Sequence, residues 1–71
     1  MSAYELYAAE KLELDGLVES GYQIRSVQEG LDGADVRLVH PGLPEGEASL
    51  RLLTADARKY LTVLLLRERR P

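Results

Sequence analysis

Two clusters of turn residues constrain this chain more than any other feature. They are Leu31-Asp32-Gly33 and Pro41-Gly42-Leu43-Pro44-Glu45-Gly46. In the first, Gly33 is free to adopt positive φ in a tight hairpin. In the second, two prolines forbid a regular strand. The segments around them are short and alternate. Asp35 to His40 sets Val36 and Leu38 against Arg37 and Val39, and Glu47 to Leu53 sets Ala48, Leu50 and Leu52 against Ser49, Arg51 and Leu53. Tyr22 to Gln28 places Tyr22 and Ile24 on the same side as the first sets, with Gln23, Arg25 and Val27 on the other. Short strands joined by short loops favour an antiparallel meander.

Helix signals flank this unit. Ser2 and Glu5 have capping-box spacing, and Ala3, Leu6, Tyr7, Leu14, Leu17 and Val18 fall on one side at a 3.6-residue period. Gly21 is placed to end that helix in a left-handed cap. Gly16 costs a helix about 1 kcal/mol relative to Ala, which leaves open whether the helix is continuous through Asp15-Gly16. Downstream, Thr54 is a good N-cap, Asp56 sits in the first turn, and Arg67, Arg69 and Arg70 cluster at the far end. Ala57, Tyr60, Leu61, Leu64 and Leu65 form its core stripe. The run from Tyr60 to Leu66 also fits a buried strand, but capping and charge placement favour helix. The expectation is an α+β fold of order α-β-β-β-α. Residues 1–71 form one domain, a three-stranded antiparallel meander with two helices packed on one face.

This order resembles that of the double-stranded RNA-binding domain, as does the length. The resemblance is confined to these. That family reads phosphates with a Lys-rich start to its last helix, where this chain has Thr54-Ala55-Asp56-Ala57-Arg58-Lys59.

A chain of 71 residues buries a small core, and the absence of cysteine removes disulfides and thiolate metal sites. Leu packing or self-association must supply what a staple would. The N-terminus carries acid where a signal peptide carries base, and the longest apolar run is Val63-Leu64-Leu65-Leu66, which points to a soluble, cytoplasmic protein. Net charge is −3, unevenly spread. Residues 1–20 hold Glu5, Glu10, Glu13, Asp15 and Glu19 against Lys11, whereas residues 51–71 are dominated by arginine. Such asymmetry can orient a partner or a second copy. The lack of Asn, Trp, Phe and Cys fits a thermophilic source, and the preference for Arg over Lys fits a GC-rich genome.

Chemistry-bearing constellations are sparse. His40 is the lone histidine and has neither a nucleophile motif nor metal-ligand neighbours, so it reads as a strand-end residue. The glycines at 30, 33, 42 and 46 lack the Lys-Ser/Thr of a phosphate loop. Glu10 falls amid the first helix's apolar stripe. It must pair with a cation, such as an arginine of the second helix, or overhang into solvent, and the overhang is favoured. No cofactor, metal or small-molecule substrate is evident, and no catalytic residue is assigned. The leading expectation is a non-enzymatic protein–protein interaction domain that self-associates, using Val27, Val39, Leu53, Val63 and Leu66. The alternative is a nucleic-acid-associated regulator that contacts phosphates through Arg25, Arg37 and Arg51 on the open sheet face, or through the Arg58/Lys59 and Arg67-Arg69-Arg70 clusters of the second helix.

Overall fold

The computed structural model describes residues 2–68. Helix α1 (Ala3–Glu19) leads into strands β1 (Gln23–Gly30), β2 (Gly33–Val39) and β3 (Glu47–Leu52), and helix α2 (Ala55–Glu68) follows. The sheet is antiparallel with β2 in the centre. Val36, Leu38 and Leu52 from the sheet join Leu14 of α1 and Ala57, Leu61 and Leu64 of α2 in one core cluster. Both helices therefore cover the same face. No described helix is long and apolar enough to cross a membrane.

The helix ends follow their local chemistry. Ser2 and Glu5 form a reciprocal capping box, the Ser20 cap hydrogen-bonds back into the last turn, and Gly21 beyond it takes φ 101°. Thr54 Oγ1 accepts from the Ala57 amide at 3.1 Å and opens α2 as an N-cap. One open question about α1 is answered and one expectation fails. The helix runs unbroken through Gly16, because its neighbours Leu14, Leu17 and Val18 anchor it from both sides. Ala3 lies outside the core because α1 starts at its rim, where that residue is exposed. Residues 59–66 are helical throughout.

Strand β1 departs from regular alternation. Ile24 stands opposite Leu38 and Ser26 opposite Arg37, so Arg25 is an extra residue in a β-bulge. Beyond it the facing of β1 is reversed relative to an unbroken strand. Val27 stands opposite Val36 and packs against the core instead of joining the outer face, which corrects its expected placement. Glu68, at the end of α2, accepts the Ile24 amide at 3.2 Å and ties that helix to the bulged edge strand.

Glu10 is the one buried charged residue among those described, at 7% exposure. It neither overhangs nor meets an arginine. Its carboxylate accepts the amide of Leu53, the amide of Thr54 at 3.1 Å and the Thr54 hydroxyl at 2.7 Å. Those amides lie where α2 begins, at the positive end of its dipole. The acid thus pins α1 to the start of α2, and Thr54 relays the contact by accepting from Ala57.

His40 closes the opposite end. The Gly42 amide can only donate, so Nδ1 accepts it at 3.0 Å, and Nε2 carries the proton that reaches the Ser20 carbonyl at 2.9 Å. The imidazole also meets the Tyr22 ring edge-on, with centroids 5.2 Å apart. Both ring nitrogens are committed to backbone, so this histidine holds the β2–β3 loop against the end of α1.

Candidate functional site

Two surfaces remain after the core is accounted for, and the first is the bare face of the sheet. Strand register arranges its outward side chains in rows: Gln23, Val39 and Glu47; then Ser26, Arg37 and Ser49; then Gln28, Asp35 and Arg51. The bulge adds Arg25 between the first two rows. Arg25, Arg37 and Arg51 are all exposed on this face. In the outermost row Arg51 approaches Asp35 at 3.9 Å, both well exposed, which is a weak cross-strand pair. Among the described residues no carboxylate lies within 4 Å of Arg25 or Arg37. These two arginines, Ser26, Ser49, Val39 and Glu47 line a shallow depression of about 490 Å³.

The second surface is the outside of the helical layer. On α1, Ala8, Leu12 and Gly16 face away from Leu14, accompanied by Glu5 and Glu19, with Glu13 on one flank and Tyr4 on the other. Tyr4 is 75% exposed and Leu12 74%. On α2, Val63 and Leu66 are 44% and 60% exposed, and Lys59 and Arg67 are exposed around them. Asp56 is exposed on the same side of α2, so the layer has an acidic half and a mildly basic half, two cations against one acid, each with an apolar centre. Sequence reasoning identified Val63 and Leu66 but missed Tyr4 and Leu12, although the same helical wheel that placed Leu14 inside places Leu12 outside.

The remaining expected residues scatter. Val39 is half-buried on the sheet face, and Leu53 lies one residue past β3, exposed. Arg58 is half-buried and Lys59 exposed on α2, across the sheet from Arg25, Arg37 and Arg51. The five basic residues thus occupy two opposite sides of the molecule and cannot form one phosphate track. Arg69 and Arg70 lie outside the described residues.

Between the helices, Asp15 accepts from Lys11 Nζ at 2.8 Å and from the Tyr60 hydroxyl, and Lys11 sits 4.7 Å from the centre of the Tyr60 ring. The Lys11 hydrogen bond, followed by that of Tyr60, holds the Asp15 carboxyl below its ordinary range. The Asp15 carboxylate in turn pushes the Tyr60 phenol up. A lowered folded-state pKa means that the folded chain binds fewer protons. The resulting stability is complete above the unfolded value of about 3.9 and is lost as pH falls through the folded one. Tyr60→Phe should therefore cost about 0.5–1 kcal/mol at neutral pH. That gap should narrow below about pH 4 as Asp15 takes a proton. Urea midpoints of both proteins from neutral to acid pH measure this, and a gap that widens in acid contradicts the assignment.

Among the described residues no group of three or more His, Cys, Asp or Glu side chains converges as a metal site. Comparison with protein-family models, with curated proteins and with solved structures gives no match. The likeness to the double-stranded RNA-binding domain is one of element order and length, which carries no function by itself.

Proposed function

We propose that this chain is a non-enzymatic protein–protein interaction domain that pairs with a second copy of itself through the outer faces of its helices. The observation that carries the reading is the division of one continuous layer into an acidic, apolar-centred α1 and an apolar-centred α2 on which Lys59 and Arg67 outweigh Asp56. A two-fold axis running along the helices lays α1 of each copy over α2 of the other, so the complementary contact forms twice. A two-fold axis across the helices lays acid on acid and base on base. Charge thus selects one geometry, and Tyr4, Leu12, Val63 and Leu66 supply the apolar area at its centre. A chain this short, with no disulfide, gains stability from such pairing by mass action.

Sedimentation equilibrium over a wide concentration range tests the proposal. The protein should be dimeric at high concentration, with association weakening as salt screens the opposed halves. Leu66→Glu, which places acid on the basic helix at an exposed site, should weaken the dimer by about tenfold or more, the equivalent of about 1.4 kcal/mol. A strict monomer at millimolar concentration, or a dimer indifferent to both salt and this substitution, refutes it.

A further inference from the structure

We infer that the β1 bulge builds a binding site for a dianionic phosphate group on the bare face of the sheet. In an unbroken strand Arg25 would face outward and Ser26 inward. The extra residue leaves both on the open face, beside Arg37 and, one strand further on, Ser49. Adjacent strands are about 4.8 Å apart, so the Ser26–Arg37–Ser49 row spans roughly 10 Å of backbone, short enough for its side chains to lean toward one phosphate. Two guanidinium groups, each able to donate in a planar fork, match the roughly −2 charge of a phosphate monoester, and two hydroxyls add neutral donors.

The surroundings select a compact ligand. Glu47 lines the same depression, leaves it a net charge of one cation and repels a run of phosphates, and Arg51 is turned to Asp35 in the next row. No aromatic side chain lines the depression, so no base can stack there. A single-stranded nucleic acid would find one contact point where it needs a groove. A small soluble ligand with a terminal phosphate, or inorganic phosphate itself, meets all four donors at once.

The site lies on the face opposite the helical layer, so it stands or falls independently of self-association. The test is a titration of the full-length, isotopically labelled chain, followed by amide resonances, with inorganic phosphate in one arm and glycerol phosphate in the other. Saturating shifts centred on Arg25, Ser26, Arg37 and Ser49 are expected, and the arm with the lower midpoint identifies the source of the phosphate. Arg37→Gln should weaken binding about tenfold or more, and Arg51→Gln should leave it unchanged. Arg37 and Arg51 are both exposed, so retained spectral dispersion confirms that each variant folds. Equal shifts from chloride at matched ionic strength would overturn the site, as would equal weakening by the two variants. So would a short oligonucleotide that shifts the same amides more tightly and with steep salt dependence, since the face would then belong to nucleic acid.

Discussion

Replacing Glu10 by alanine should remove about 3–4 kcal/mol of folding stability, the range for leaving buried polar groups without their charged partner. Three donors lose their acceptor together: the amides of Leu53 and Thr54 and the Thr54 hydroxyl. The start of α2 also loses the negative charge that answers its dipole. A domain of this length is held by roughly 4–11 kcal/mol in total, so the variant should be close to unfolded in mild denaturant. Glu10→Gln keeps one acceptor oxygen but turns an amide NH₂ toward an N–H donor, and it should cost about 2 kcal/mol. Chemical denaturation of the three proteins provides the comparison. A loss under about 0.5 kcal/mol for the alanine variant would show that water replaces the carboxylate without penalty.

The second large effect concerns Gly33. Its φ of 143° is rarely open to residues with a Cβ, and a Cβ built there lies 2.6 Å from the Leu52 carbonyl oxygen on β3. That oxygen belongs to backbone paired across from Ala34, so it cannot withdraw without breaking the β2–β3 ladder. Gly33→Ala should cost about 3 kcal/mol or more, combining backbone strain with the collision. Gly16 provides the contrast within the same molecule: a Cβ there meets nothing within 4 Å, and the residue is helical. Gly16→Ala should therefore stabilise by about 0.5–1 kcal/mol. Thermal or urea unfolding of both variants should move in opposite directions, and two changes of the same sign would contradict this account.

What could be read in advance divides along physical lines. Ser2 with Glu5, Thr54, Gly21 and the two turn clusters act on their immediate neighbours, so spacing alone gave the element order. The bulge was less legible. Period-two reading from Tyr22 and Ile24 sends Val27 outward, and only the three-residue step between the apolar Ile24 and Val27 hints that the strand carries an extra residue. Glu10 was recognisable as a problem, since an acid within an apolar stripe demands an explanation. Its solution was hidden because its amide partners are main-chain groups 43 and 44 residues away, and a helical wheel displays side chains only. The arginines of the sheet face were foreseen from alternation, yet their division into a tied Arg51 and a depression holding Arg25 and Arg37 depends on register. Tyr4 and Leu12 lie outside the buried stripe of the helical wheel, where an apolar side chain meets no packing partner that would single it out.

The imidazole wedged beneath the β2–β3 loop limits how this sequence can diverge. A Cβ at Gly21 would lie 2.6 Å from His40 Nε2, and one at Gly46 would lie 2.7 Å from His40 Cβ. The ring holds Gly21 at the smallest side chain, and the His40 Cβ, with Leu43 Cβ at 2.9 Å, holds Gly46. Exchange of the histidine for something slimmer would lift the collision at Gly21, although its positive φ would still favour glycine there. The collision at Gly46 is with a Cβ that any replacement but glycine retains. Across descendants of this chain, position 21 should therefore change only after position 40 has changed, with position 46 the last of the three to yield.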